Sequence, residues 1–242
     1  MLHAGAALRR RFLKENQVRA KRSAADYCTE ADLEAERIMV GALLRAFPQH
    51  EIHSEEAGLV RAGGPFRWLI DPLDGTHNYV SGIPLYGVVL TLFAEDRVEA
   101  CVLHDAHLGR TVIARRGHGV VLQGGGVRAA PLQAARRTAS VLKDYRDSAE
   151  PSPAHQPFAL PTCLPWVPER VLDLWAPCID GLLFATRHTG ALVADGWSGA
   201  ERHAVVLAAT EAGGQATDWN GHPIDPAAPP SKFLIIQSGP RH

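Results

Sequence analysis

The chain has 242 residues, and 25 basic against 26 acidic side chains give it a formal net charge of −1 at pH 7. That length can bury a complete hydrophobic core, in one large domain or in two closely packed lobes. The balanced charge argues against nucleic acid as the main partner. No run of 18 apolar residues occurs, so the sequence predicts no membrane-spanning helix and no membrane partner.

The cellular location is predicted from the N-terminus and the cysteines. The N-terminus lacks the apolar core of a signal peptide, so we expect a cytoplasmic protein. The four cysteines form no Cys-x-x-Cys pair, and we expect reduced thiols without structural zinc. They are Cys28, Cys101, Cys163 and Cys178.

Two helices are predicted before the first strand. An amphipathic helix is expected over about residues 3–20, followed by a polar loop over 21–26. Thr29 and Asp32 match a capping box, which predicts the start of a second helix. That helix should run to about Phe47, since a proline follows directly.

Two adjacent acids, Glu55 and Glu56, end a short predicted strand over 51–56. Adjacent carboxylates repel each other, so one of them usually needs a cation or a cluster of donors nearby. Simple exposure of both to solvent is the alternative.

The most specific pattern lies at residues 68–78, which read Trp-Leu-Ile-Asp-Pro-Leu-Asp-Gly-Thr-His-Asn. Three apolar residues indicate the end of a buried strand, and Asp71 and Asp74 flank a proline that fixes the backbone. We expect both carboxylates to converge at the carboxyl end of this strand, where open α/β sheets bind ligands. Paired carboxylates beside exposed backbone N–H groups suit a divalent cation that holds a phosphate. An isolated Asp-Pro-x-Asp is also typical of a surface turn.

The rest of the chain divides into two parts. Apolar segments at 86–93, 98–104, 111–115 and 120–122 predict an antiparallel meander. Six prolines between residues 148 and 168 indicate an irregular connection. We therefore predict an N-terminal α+β lobe over 1–145, with the metal and phosphate site, and a C-terminal α/β lobe over 146–242, on the substrate side. In the second lobe, a helix over 201–212 should end at the glycine pair that follows.

These segments resemble, in order and spacing, the inositol monophosphatase family of Mg²⁺-dependent phosphatases. The matching blocks are Asp26…Thr29-Glu30-Ala31-Asp32, the strand that ends in Glu55-Glu56, the stretch Asp71–Asn78, and the ending Glu211-Ala212-Gly213-Gly214. The resemblance implies an α/β (α+β) fold, a layered αβαβα sandwich, commonly assembled as a homodimer. It implies a phosphomonoesterase that hydrolyses a small phosphorylated polyol or sugar by two-metal activation of water.

The resemblance also implies roles for residues, which are carried over by position. One Mg²⁺ would be held by Glu55, Asp71 and the backbone carbonyl of Leu73. A second would be held by Asp74, with Asp71 bridging the two ions. The resemblance implies two or three ions in all. Gly75 and Thr76 would present backbone N–H groups to the phosphate, and Thr76 with Asp32 would position and help deprotonate the attacking water. Lys21 would lie on a mobile loop that closes over the metal site.

Two departures from the family pattern concern the substrate side. Where the family has Trp-Asp-x-Ala, this chain reads Ala200-Glu201-Arg202-His203. Glu201 is expected to ligate the second metal, with Arg202 and His203 as candidate substrate-side groups. Alternatively, Ser198 and Glu201 form a capping box in which Glu201 bonds its own backbone.

The second departure is the lack of the family's small-residue turn near residues 175–178. The family's inositol-gripping acid falls near Ala194, with Asp195 as its neighbour and as a candidate substrate-binding residue. The sequence therefore leaves open the same chemistry on histidinol phosphate, fructose 1,6-bisphosphate or a 3′-phosphonucleotide. It also leaves open a regulatory or scaffold protein with weakened catalysis.

Overall fold

The computed structural model describes residues 1–14, 18–20, 27–124, 137–143, 161–197, 199, 201–226, 229–230 and 232–237. Its helices are α1 (Leu2–Arg11), α2 (Glu30–Ala46), α3 (Thr76–Val80), α4 (Pro177–Ala185) and α5 (Arg202–Glu211). Its strands are β1 (Val18–Ala20), β2 (Tyr27–Thr29), β3 (Glu51–Ser54), β4 (Gly58–Arg61), β5 (Phe66–Asp74), β6 (Gly87–Ala94), β7 (Arg97–Asp105), β8 (Arg110–Arg115), β9 (Val120–Gln123), β10 (Thr138–Lys143), β11 (Arg170–Leu172), β12 (Ala191–Asp195), β13 (Gly214–Thr217) and β14 (Phe233–Gln237). None of the helices in these ranges is long and apolar enough to cross a membrane.

Helices and sheets alternate in layers. A seven-stranded sheet, in the order β4-β3-β5-β6-β7-β8-β9, packs against α1 and α2 on one face and against α4 and α5 on the other. A five-stranded sheet, in the order β11-β10-β12-β14-β13, covers the far side of α4 and α5. Strands β6 to β9 pair antiparallel as the predicted meander. The layered α/β sandwich expected from the sequence is confirmed.

The first helix is shorter than predicted. It ends at Arg11, Phe12 has extended backbone angles, and residues 18–20 form β1 instead of continuing the helix. The ring of Phe12 packs against Tyr79 and Tyr86, with centroid separations of 5.4 and 4.9 Å. We attribute the early end to this tertiary packing, which outweighs the local helical pattern. The predicted loop over 21–26 lies outside the described residues.

The second helix begins where the sequence predicts. The hydroxyl of Thr29 accepts hydrogen bonds from the backbone N–H groups of Ala31 and Asp32, and Asp32 Oδ2 accepts from the backbone N–H of Thr29 at 2.9 Å. These reciprocal bonds complete the capping box. The helix ends at Ala46, within one residue of the predicted Phe47.

The change from one sheet to the other falls earlier than the predicted lobe boundary at 145. Strand β10, over 138–143, pairs in parallel with β11 and β12. It therefore belongs to the sheet formed by the C-terminal part of the chain. The division into two lobes stays a prediction.

Candidate metal and phosphate site

A β-bulge at the end of β5 sets the geometry of the acidic motif. The pairing of β5 with β6 shifts register between Asp71, opposite Val89, and Asp74, opposite Gly87. In a regular strand, residues three apart point to opposite faces, and an inserted residue removes that alternation. Pro72 lies within this bulge and has no backbone N–H, so the irregular pairing leaves no donor of Pro72 without a partner. The bulge therefore allows both carboxylates to approach the same site.

Glu55 is fixed between the strand and a helix. Its backbone N–H donates to the carbonyl of Ile70 on β5 at 3.0 Å. Two residues later, the N–H of Ala57 donates to the carboxylate of Glu36 on α2 at 2.9 Å. The turn after β3 is thus held at both ends, and it directs Glu55 toward Asp71.

Four carboxylates from three segments converge here. Burial, followed by repulsion from Glu55, Asp74 and Glu201, raises the pKa of Asp71 well above its usual range. Burial and then repulsion from Glu201 raise the pKa of Asp74 well above its usual range, although the N–H of Cys178 donates to its Oδ2 at 2.9 Å. Such crowding destabilises the charged forms unless a cation compensates them.

Three of the four acids line a cavity of about 90 Å³ between β5, β6 and the start of α5. Glu55, Asp71 and Glu201 line its polar side, and the remaining lining residues are Leu69, Ile70, Val89 and Thr91. The hydroxyl of Thr91 is buried and has no hydrogen-bond partner among the described residues. Sequence reasoning missed Thr91, although the alternation of β6 places it opposite Leu69 and so beside the acids.

Glu201 reaches the cavity by folding over a glycine. It directly precedes α5, and its side chain makes no capping hydrogen bond to that helix. The indole N–H of Trp197 donates to Oε1 of Glu201 at 3.2 Å. A Cβ on Gly199 would lie 2.1 Å from the same oxygen, so only glycine leaves room for this path. The capping-box alternative requires Ser198, which lies outside the described residues.

The turn after β5 is tied to its surroundings. Gly75 has a φ of 77°, and a Cβ there would lie 2.8 Å from the carbonyl oxygen of Leu85, so glycine is required. The hydroxyl of Thr76 donates to the carbonyl of Leu73 at 2.7 Å. The amide of Asn78 donates to the carbonyls of Leu85 and Leu174 at 3.0 and 2.7 Å. Asn78, for which the sequence predicted no role, therefore fastens this turn to the C-terminal part of the chain.

A family model described as the inositol monophosphatase family matches residues 1–240. The chain belongs to the inositol monophosphatase family. Inositol monophosphatase 2 of Mus musculus is 32% identical over 237 residues, covering 93% of this chain and 79% of that protein. The histidinol-phosphatase of Chlorobaculum parvum is 28% identical over 193 residues, covering 80% and 73%. The predicted family membership is confirmed.

Other similar proteins carry a different name. The Nus factor SuhB of Pseudomonas aeruginosa is 38% identical over 107 residues, which are 43% of this chain and only 40% of that protein. The expectation that nucleic acid is not a partner therefore stays a prediction.

Solved structures support the fold. The extragenic suppressor protein suhB of Bartonella henselae gives a TM-score of 0.77 at 23% identity, covering 98% of this chain and 90% of that one. The IMPase TM1415 of Thermotoga maritima gives 0.74 at 22% identity, covering 98% and 88%.

The remaining predicted site residues are absent from the cavity lining or lie outside the described residues. Lys21 is outside them. Asp195 ends β12, and Lys232 pairs with its carboxylate at 3.0 Å. The imidazole of His203 packs edge-on against Phe93 at a centroid separation of 5.3 Å. Burial, then the charges of Arg202 and Arg67, lower the pKa of His203 to about 4. Arg202 and His203 are not among the residues that line the cavity.

A second group of possible ligands was not predicted. Side-chain ligand atoms of Cys28, Asp32 and Glu56 lie within 4.8 Å of one another. Cys28 lies in β2 and Asp32 in the first turn of α2, and Glu56 comes from the turn after β3. Glu56 meets Cys28 and Asp32 only in the folded chain, so the spacing of the three residues in the sequence does not predict this group.

A fifth acid, Asp180, is fully buried in α4. Burial raises its pKa to about 8, although a contact with the hydroxyl of Ser140 acts in the opposite direction. Because this pKa lies above the value of about 3.9 for an aspartate in an unfolded chain, the protonated form stabilises the fold at low pH. That contribution is complete below about pH 4 and is lost as the pH rises toward 8.

Asp180→Asn should therefore stabilise the metal-free protein at pH 8. We expect the free energy of unfolding to rise by roughly 5 kcal/mol there, because asparagine needs no proton to stay neutral. Near pH 4 the variant and the wild type should be equally stable. Urea unfolding in EDTA at both pH values measures this, with Asp96→Asn in the exposed β6–β7 turn as the control. A gain of equal size at both pH values would contradict the assignment.

Proposed function

We propose that the chain is a Mg²⁺-dependent phosphomonoesterase that hydrolyses a small phosphorylated polyol or sugar. The observation that carries the proposal is the convergence of four carboxylates from three segments, of which Glu55, Asp71 and Glu201 line one cavity. Burial, followed by repulsion from neighbouring carboxylates, raises the pKa of Asp71 and Asp74 well above the usual range. A cluster of this kind is expected where a cation binds.

The donor set fits Mg²⁺. The candidate ligands are oxygens throughout, namely the carboxylates of Glu55, Asp71, Asp74 and Glu201 and the carbonyl of Leu73, and Mg²⁺ prefers such hard donors. Two or three ions bound here would neutralise phosphate oxygens, lower the pKa of a bound water and stabilise the leaving alkoxide.

The chain's own residues complete the proposed mechanism. Gly75 and Thr76 would donate backbone N–H groups to the phosphate. Because the proton of the Thr76 hydroxyl is directed to the carbonyl of Leu73, its oxygen is left to accept a hydrogen bond from the attacking water. Asp32, buried at the start of α2, would take up the proton of that water with Thr76. Lys21 would add positive charge over the site.

The relatives support two substrates within this chemistry. The similarity to inositol monophosphatase 2 favours an inositol phosphate as the substrate. The similarity to the relative named histidinol-phosphatase favours histidinol phosphate as the second candidate. Fructose 1,6-bisphosphate and a 3′-phosphonucleotide stay as further alternatives. The homodimer and the cytoplasmic location also stay predictions.

The test is phosphate release from a panel of these four esters with Mg²⁺ and with EDTA. We expect release from at least one ester, and we expect EDTA to abolish it. If no ester is hydrolysed at any Mg²⁺ concentration, the enzyme proposal fails and the regulatory or scaffold alternative takes its place.

A further inference from the structure

The segment that joins β11 to α4 lies directly against the Gly75-Thr76 turn. At one end, the carbonyl of Leu174 accepts the Asn78 amide at 2.7 Å. At the other end, the N–H of Cys178 donates to Asp74 at 2.9 Å. Between them, the Cβ of Ala176 lies 3.1 Å from where a Cβ on Gly75 would stand. The segment is thus held on the acidic turn from both ends.

Trp175, in the middle of this segment, has a φ of 54°. This is the left-handed region, which favours glycine and is strained for an aromatic residue. Such strain persists only where the surroundings fix the backbone, as the bonds to Leu174 and Cys178 do here. The direction in which the indole leaves the backbone is therefore set, and the side chain is only partly buried.

The indole stands beside a second ring. Its centroid lies 5.2 Å from that of His77, with the ring planes inclined by 58°. His77 directly follows Thr76 in the chain and is exposed. We call this pair, Trp175 and His77, the aromatic rim. Both rings belong to residues next to the acidic turn, so a phosphate ester held at that turn would have the aromatic rim as a neighbour.

We propose that the aromatic rim binds a planar heteroaromatic group on the alcohol part of the substrate. This inference rests on the proposed phosphomonoesterase chemistry, and among its candidate substrates it favours histidinol phosphate or a 3′-phosphonucleotide over a polyol phosphate. An indole face offers dispersion and quadrupole contacts to a flat ring, and it offers no hydrogen-bond acceptors to the hydroxyls of a polyol. Stacking of a base on an aromatic side chain strengthens binding by roughly 5- to 150-fold.

The experiment compares kcat/KM for phosphate release from three esters, using the full chain with Mg²⁺. Histidinol phosphate and adenosine 3′-monophosphate carry an imidazole and a purine, and glycerol 2-phosphate carries no ring. The wild type should prefer at least one ring-bearing ester by about tenfold or more. Trp175→Ala should lower kcat/KM for that ester about tenfold, mainly through KM, and change glycerol 2-phosphate by less than about twofold. Trp175→Phe should keep most of the preference.

The same data separate the ways in which the inference can fail. If Trp175→Ala lowers kcat/KM equally for all three esters while thermal unfolding is unchanged, Trp175 only supports the acidic turn. The inference is then wrong and the proposed function stands. A wild type that prefers glycerol 2-phosphate also overturns the inference alone. If the wild type releases phosphate from an inositol phosphate or fructose 1,6-bisphosphate but from neither ring-bearing ester, the inference alone is wrong. If it releases phosphate from none of the esters of either panel, the proposed function fails as well.

Discussion

Asp74→Asn is expected to lower kcat/KM for Mg²⁺-dependent phosphate release at least about 1,000-fold, or ~4 kcal/mol. The substitution keeps an oxygen that accepts the Cys178 N–H, so it removes the charge while preserving the contact. The lost carboxylate is the candidate ligand that holds the second ion and lies beside the phosphate turn. Initial rates on the best ester of the panel, at saturating Mg²⁺, measure the effect.

The control for this prediction is Asp96→Asn, the same chemical change in an exposed turn, which should alter the rate less than about twofold. In EDTA, Asp74→Asn should be at least as stable as the wild type, because it relieves repulsion within a crowded acidic cluster. A variant that is folded and retains more than about a tenth of the activity would contradict the metal role of Asp74.

Gly199→Ala is expected to weaken Mg²⁺ activation about 10- to 100-fold, the range found when a group that orients a metal ligand is lost. The added Cβ would meet Oε1 of Glu201 at 2.1 Å, and the flexible end of that side chain must then move away from the cavity. Since the clash involves only the carboxylate group, the fold should be unaffected. The half-saturating Mg²⁺ concentration measures the effect on activity, and calorimetric titration measures binding directly.

A double-mutant cycle separates this mechanism from a general disturbance. Glu201→Ala should weaken Mg²⁺ activation on its own and leave the thermal unfolding midpoint unchanged. Gly199→Ala should then add no further loss in the Glu201→Ala background, because the displaced group is already absent. Unchanged Mg²⁺ dependence in Glu201→Ala would show that Glu201 is not a ligand. Additive losses would show that Gly199 acts by another route.

Features set by local chemistry were predictable from the sequence. The capping box of Thr29 and Asp32 depends on residues three apart, and the structure confirms it. The meander of β6 to β9 follows from apolar runs between turns. Glu55 and Glu201 lie far from Asp71 in the chain, so local spacing gives no reason to join them. Their assignment came through the family resemblance.

Features set by tertiary contacts were not predictable. The early end of α1 depends on Phe12 packing against residues of α3 and β6. The left-handed backbone of Trp175 depends on hydrogen bonds from Asn78 and to Asp74, both about 100 positions away. Gly199 did carry a local signal, since a glycine two residues before an acid leaves room for its side chain. Because the sequence does not show where the cavity lies, this glycine could not be linked to the path of the Glu201 side chain.

The most direct measurement is anomalous diffraction from crystals of the protein soaked with Mn²⁺ and phosphate. Mn²⁺ accepts the same oxygen ligands as Mg²⁺ and scatters anomalously. We predict at least two peaks, at about 2.2 Å from carboxylate oxygens of Glu55, Asp71 and Asp74, with Glu201 ligating one of them. The phosphate should lie against the N–H groups of Gly75 and Thr76. Ions bound elsewhere, such as at Cys28, Asp32 and Glu56, with none between Asp71 and Asp74, would contradict the proposed centre.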